Sequence, residues 1–397
     1  MSIARILLVL LVSGLVSSTA PAHGAALEFV DAKLEGEDGI QGLAGVLAVA
    51  VSPDGRNVYA VAPSSDAVTV FTRDLATGAL TQLEVEKDGV GNVDGIAYPA
   101  AIVVSPDGQH VYVAGSRDDA VTSFSRDSAT GALTFLEAQK EGTAGVEGIR
   151  YARALAITPD GEFVYAAGQK SDAIAVFKRN TLTGWLTFVE VQHQGVLGVS
   201  GIAEPLALTV SPDGAHLYVA SGDQSAVTVF ARDRVTGRLL LGPQDVEGDL
   251  GVAGIHSVAV SPDGAFVYAT RQDDDAIVIF RRNRTTGGLA FTDVISQGMD
   301  GADGLYGVFW ITISPDGRRL YAASTLGHSI AAFDRDTKTG ALTFLQKERG
   351  TPTRECLAFA RSVAVSADGQ SVYVAGASSN AIVAYRAGTP EPPPATE

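Results

Sequence analysis

Five places before a repeated serine or threonine, the sequence sets Leu47, Ala100, Arg153, Leu206, His256, Phe309 and Arg361 in one register. Two arginines and a histidine among apolar neighbours are a set that could act on an acyl group. Guanidinium groups grip a carboxylate through paired N–H bonds or draw charge from a carbonyl. An imidazole takes a proton from an attacking water. Arg153, His256 and Arg361 are therefore catalytic candidates, with Glu204 as a second possible base. Tyr98, Tyr151, Glu147 and Asp303 lie close by in sequence and are candidates for holding a ligand. Asp94, Glu147, Asp303 and Glu355 each precede a repeated loop position and could instead gather around a hard cation such as calcium. No contiguous calcium-loop motif accompanies them.

The elements that must position these groups are repeats. Ser-Pro-Asp-Gly or a close variant begins at Ser52, Ser105, Thr158, Ser211, Ser261, Ser314 and Ser366, at intervals of 53, 53, 53, 50, 53 and 52 residues. Seven residues after each start stands a tyrosine, from Tyr59 to Tyr373, and an aromatic closes a later β-branched run, from Phe71 to Tyr385. In the second unit, apolar 101–104, alternating 110–114, 120–124 and 132–138 read as four strands, with turn chemistry at Pro106-Asp107-Gly108 and Thr130-Gly131. No window carries a sustained 3.6-residue apolar period, so helices should be almost absent. Four strands about every 50 residues predict an all-β, seven-bladed β-propeller over 26–386. The seventh unit lacks a fourth strand, and Ala26-Leu27-Glu28-Phe29 resembles the missing piece, so the N-terminal strand should complete the last blade.

In this topology the Pro-Asp-Gly and Thr-Gly turns share one face, and the crossovers between blades share the other. The turn residues recur because seven equivalent turns need one backbone. Arg73, Arg126, Arg179 and their equivalents are expected to pair across hairpins, and Asp66, Asp119, Asp172, Ser225, Asp275, His328 and Asn380 to form local turns. Gly-Ile or Gly-Leu recurs in the crossovers, with Gly254-Ile255 as the fifth copy and Cys356-Leu357 as the seventh. The variable residues at the channel mouth are where a site could be built. The plainer alternative is a set of polar groups satisfied by each other and by water.

Residues 1–25 read as a secretory signal: Arg5 is the positive region, 6–16 the apolar run and Ala20-Pro21-Ala22 the cleavage site. A periplasmic or secreted protein is expected, with no membrane span after cleavage and a monomeric state. The tail from 387 to 397, rich in proline, should be disordered. Among 397 residues, 46% are hydrophobic and 19% charged, which supports a substantial core. The formal charge of −16, without a basic cluster, argues against nucleic acid and anionic membrane surfaces. The lone Cys356 has no partner for a disulfide and is expected to be a buried thiol. There is no glycine-rich phosphate loop ending in lysine, no paired Cys and His zinc pattern, and no Gly-x-Ser-x-Gly elbow.

The unit running through Val104-Ser105-Pro106-Asp107-Gly108, Val111-Tyr112-Val113, Asp119-Ala120-Val121 and Thr130-Gly131-Ala132-Leu133 resembles the lactonase-type β-propellers, the family of 6-phosphogluconolactonase and the carboxymuconate lactonizing enzymes. It also shares character with YVTN-type surface-layer repeats. The resemblance covers residues 26–386. It implies a propeller and, for activity, a lactone hydrolase or lactonizing enzyme, with Ile255-His256-Ser257-Val258 in the place of the family's histidine motif and Arg153 and Arg361 suited to an anionic substrate. Two function classes stay open. One is an exported propeller that binds a small molecule, protein or glycan through its crossover face. The other is lactone chemistry on a carboxylated or sugar lactone at the channel mouth.

Overall fold

The computed structural model describes residues 25–222, 226–243, 254–351 and 354–388. Seven four-stranded antiparallel sheets are arranged as blades. Each blade's sequence explains its layers. The second strand, such as Asn57–Ala62 or His110–Gly115, is buried at every residue, because both its faces meet neighbouring blades. Such a strand is written as an unbroken apolar run. The fourth strand, such as Leu133–Lys140, is only partly covered and carries polar residues. Gly115 ends its strand where a Cβ would run into the Gly95 carbonyl oxygen, so the crossover can pass close above it. Helical structure among the described residues is limited to the short 3-10 turns Gln169–Ser171 and Met299–Gly301.

The ring closes as the repeats predict. Leu27–Leu34 pairs antiparallel with Ala381–Ala387, from Leu27 opposite Ala387 to Leu34 opposite Ala381, and becomes the outer strand of the seventh blade. That strand runs through Ala387, one residue past the expected boundary. The expected signal (1–25) lies almost wholly, and the tail beyond Gly388 entirely, outside the described residues, as does Ser225. No described helix is long and apolar enough to cross a membrane. Cys356 is fully buried, and burial pushes its thiol pKa up.

Three expectations are corrected by the fold. The repeated arginines do not pair across their own hairpins; they clamp one blade to the one before. Arg126 donates from Nε to the Tyr59 hydroxyl at 2.7 Å and from Nη2 to Asp54 at 2.8 Å, while Nη1 caps the Gly108 carbonyl of its own turn at 2.9 Å. A guanidinium buried at a blade junction must have its N–H groups satisfied, and only the preceding blade supplies a carboxylate there. Arg73 closes the ring in the same way on Asp368 at 3.0 Å. The aspartates before the third strands are likewise more than local turn-formers. Asp66, Asp119 and Asp172 accept the backbone N–H of Tyr98, Tyr151 and Glu204 in the next blade at 2.7, 2.6 and 2.8 Å. Finally, Gly254-Ile255 is not the fifth crossover copy. Ile255 opens an innermost strand opposite Arg271, as Pro205 does opposite Ser221, so Gly254 takes the place of Glu204 and not that of Gly201.

Candidate functional site at the channel mouth

The register that gathers the candidate residues is a backbone irregularity repeated around the ring. In six of the seven innermost strands, pairing slips at the candidate position: between Pro99 and Ala101, Ala152 and Ala154, Pro205 and Ala207, Ile255 and Val258, Val308 and Trp310, and Ala360 and Ser362; Ala48–Val51 pairs without a slip. A bulge leaves its residue out of the ladder and re-aims the side chain. Arg153, His256, Phe309 and Arg361 are those residues, and with Leu47 and Leu206 they line a cavity of about 510 Å³ at the channel mouth. Tyr98, Tyr151 and Glu204 line it as well, so six of the eight predicted site residues meet there.

Glu147 and Asp303 do not line this cavity. They stand six places ahead of the channel residue, each just before a crossover glycine. Glu147 is exposed. Asp303 is tied to Lys347 of the outermost strand Leu342–Glu348 and to Gln297 at 3.0 Å, and the Lys347 bond, then the Gln297 one, lower its pKa. The acidic residues proposed for calcium do not converge either. Asp94 is paired with Lys140 at 2.8 Å and Glu355 with Arg349 at 3.5 Å, each on its own blade. Asp94 does lie near Asp88 and Asp118, with ligand oxygens within 4.8 Å of one another, but Ile96 and Ala97 N–H groups bond to those two carboxylates.

Within the cavity the two arginines are unlike the clamping ones. Arg153 has no hydrogen bond or ion pair among the described residues, and its pKa is lowered chiefly by burial. Arg361 lies between two rings, its guanidinium carbon 4.3 Å from the Phe309 centroid and 4.5 Å from that of Phe359. Its buried Nε has no hydrogen-bond partner. Burial, then repulsion from Arg153, brings its pKa down to about 10. Two half-buried cations without a carboxylate partner are costly, and such a cost marks a place where an anion or a developing oxyanion is received.

His256 packs edge-on against Phe309 at 4.7 Å, and its Nδ1 lies 3.1 Å from the Gly254 carbonyl. That carbonyl can only accept, so Nδ1 carries the proton and Nε2 keeps its lone pair. Burial lowers the pKa of His256, the Gly254 bond opposes this, and the charges of Arg153 and Arg361 lower it further. The imidazole is therefore neutral at pH 7 and able to act as a base. Glu204 lies exposed on the rim.

Sequence reasoning missed a second device. Two positions before each channel residue, Gly45, Tyr98, Tyr151, Glu204, Gly254, Gly307 and Phe359 all have positive φ, between 48° and 95°. Glycine takes this conformation freely; a tyrosine or phenylalanine there is strained by about 1–3 kcal/mol. The strain is held by the inter-blade tethers from Asp66, Asp119 and Asp172, and by His328 Nδ1 accepting from Phe359 N–H at 3.0 Å. It sets three aromatic rings at the rim. Arg117 and Lys170 stack over Tyr98 and Tyr151, each 4.7 Å from the ring centre. The alignment of Tyr98, Tyr151 and Phe359 with glycines at one offset was the available signal.

The family model "Lactonase, 7-bladed beta-propeller" matches residues 48–200, 198–298 and 310–390. Over 189 residues the chain is 27% identical to 6-phosphogluconolactonase of Bacillus subtilis (strain 168), covering 47% of this chain and 51% of that protein. The chain thus spans about half the length of that curated relative. Among solved structures, a Bacteroides fragilis protein named as a candidate 6-phosphogluconolactonase superposes with a TM-score of 0.66 at 22% identity, over 87% of this chain and 91% of that one. The periplasmic gluconolactonase of Pseudomonas aeruginosa gives a TM-score of 0.60 at 20% identity, over 76% and 84%. At these identities the structural likeness speaks for the fold alone.

Proposed function

Because this chain belongs to the lactonase family of seven-bladed β-propellers, we propose that it hydrolyses a lactone at the channel mouth, the substrate being a sugar lactone or one bearing a carboxylate. The observation that carries this reading is the pair Arg153 and Arg361, two cations in one cavity with no carboxylate bonded to either among the described residues. A binding propeller would need an anion there too, but would have no use for a neutral histidine beside it. The lactone carbonyl oxygen turns toward the guanidinium N–H groups, which take up charge as the acyl carbon becomes tetrahedral. Water attacks that carbon while Nε2 of His256 removes its proton. The ring C–O bond then breaks, the proton passes from His256 to the departing alkoxide, and a hydroxy acid leaves. Phe309 and Phe359 hold Arg361 in place, and the strained Tyr98 and Tyr151 form the wall against which the ring packs. With the signal read in residues 1–25, the reaction belongs outside the cytoplasm, where an unphosphorylated lactone is the suitable substrate.

The test is proton release from a panel of sugar and carboxylated lactones, using the purified chain and Arg153→Ala. Turnover by the native chain that is lost in a folded Arg153→Ala supports the proposal. No hydrolysis of any lactone by folded native chain overturns it and leaves ligand binding at the crossover face.

A further inference from the structure

On the opposite face, one of the seven blade junctions breaks the pattern. Twenty-one residues after each turn serine or threonine stands the clamping arginine, except in the seventh blade, where the position is Ala387. Of the seven turn aspartates, Asp316 is the one without an ion pair among the described residues. A cavity of about 450 Å³ opens at that seam, lined by Asp316, Arg319, Tyr321, Asp368, Gly369 and Ala387.

Its polar groups depart from the ring's pattern: Asp316 is exposed and lacks its arginine, while the buried Arg319 lacks hydrogen-bond partners. Asp316 accepts from the Ser314 hydroxyl at 2.5 Å and the Arg318 N–H at 3.0 Å, both on Oδ1. Its Oδ2, which elsewhere in the ring takes the arginine, has no donor among the described residues. The other turn tyrosines donate to the Thr-Gly turn of the next blade, as Tyr59 does to Gly131 at 2.9 Å. The seventh blade has no such turn, and Tyr321, whose pKa burial raises to about 12, stays a neutral hydroxyl. Arg319 stands where the other blades place Asn57, His110, Phe163, His216, Phe266 and Ser371. It is only 7% exposed and forms an ion pair from Nη1 to Asp334 at 3.2 Å, yet neither its Nε nor its Nη1 has an aligned hydrogen-bond partner.

We infer that this seam binds a small zwitterion, an α-amino acid, with its carboxylate on Arg319 and its ammonium group on Asp316. A simple anion would satisfy Arg319 and be repelled by Asp316; a simple cation would meet the reverse conflict. A ligand with both poles answers both groups, and a buried charge gains most from a partner that also completes its hydrogen bonds. Pro315, Ala367 and Ala387 leave apolar room for a short side chain. Residues 389–397 include Glu391 and Glu397 but no lysine or arginine. The site lies on the face away from the channel mouth and does not depend on the lactone reading.

The experiment is calorimetric titration of the full chain with glycine, L-alanine and L-leucine, against propionate and ethylammonium as the separated poles and agmatine against arginine. Saturable binding of an amino acid about tenfold or more tighter than either pole is expected, with a comparable loss in Asp316→Asn and in Arg319→Met. Ala387→Arg should restore the clamp, raise the melting temperature and abolish binding while leaving lactone turnover unchanged. The inference is overturned if no amino acid binds, if propionate binds as well as alanine, or if binding survives in a thermally stabilised Ala387→Arg. Agmatine binding as tightly as arginine would also overturn it, in favour of a guanidinium filling the clamp.

Discussion

The two faces of this propeller use the same residue type, arginine, to opposite ends. On the face of the Pro-Asp-Gly turns, Arg126, Arg179, Arg232, Arg282 and Arg335 each meet an aspartate, a tyrosine hydroxyl and a glycine carbonyl, while Arg73 meets Asp368, Ser371 and the Gly55 carbonyl. At the channel mouth, Arg153 and Arg361 share one cavity with no carboxylate bonded to either among the described residues. A paired buried arginine stabilises an interface, whereas an unpaired one stores free energy that a substrate can release. The difference lies in what surrounds the arginine. Turns built alike surround each guanidinium alike, while crossovers and bulges present whatever side chain each blade happens to carry. Repetition therefore marks scaffold, and departure from it marks the places where chemistry can enter, the clamp-less seam at Asp316 included.

Separating these roles experimentally should give effects of graded size. The largest is expected for His256→Ala, which should lower lactone turnover about 10³-fold while leaving the melting temperature unchanged. Arg126→Met should do the reverse. It should cost about 3 kcal/mol in denaturant unfolding, because Asp54 and Asn57 lose a buried partner, with turnover per folded molecule retained. A clamp variant that abolished turnover without unfolding would erase the distinction between the faces. A smaller effect concerns pH. His256 must be neutral to act, and its pKa is lowered by burial and by the two arginines, so turnover should rise along an acid limb below pH 6.5 and fall again near 10 as Arg361 loses its proton. Removing the Arg153 charge raises the His256 pKa, so the residual activity of Arg153→Met should show its acid limb at higher pH. Smallest of all should be Tyr98→Gly. Glycine relieves the left-handed strain of about 1 kcal/mol, offsetting the lost contacts with Tyr151 and Arg117, so stability should hold while KM rises severalfold.

Acid unfolding provides a further check on the clamps. Burial alone would raise the pKa of Asp213, but bonds from Ser211, the Ala215 N–H and Arg282 bring it to about 2. A depressed carboxyl contributes stability above its unfolded value, lost as pH falls through the folded one. Stability should decline from about pH 4 toward 2, and Arg282→Met should flatten that decline.

Much of the site was legible because the repeats share a phase. Counting five residues back from the turn serine gathered Arg153, His256 and Arg361, and the same phase revealed the N-terminal strand as the missing quarter of the last blade. Glu147 and Asp303 were misplaced because one-dimensional proximity to those residues says nothing about which way a crossover turns. Gly254 was misaligned because the 50-residue interval shifts the register by three places while a Gly-Ile dipeptide recurs by coincidence. The strained Phe359 went unnoticed because its neighbours in space, not in sequence, hold it.

What the sequence by itself determined is the count, layer order and closure of the ring. These follow from apolar periodicity and turn chemistry, which are local properties that recur seven times. What only the tertiary structure decided is the pairing of charges across blades: that Arg126 reaches back to Asp54, and that among the described residues Asp316 pairs with no arginine and neither Arg153 nor Arg361 is bonded to a carboxylate. Electrostatic partnership depends on distance and burial in three dimensions, and residues some 70 or 200 positions apart acquire both only when the ring is closed.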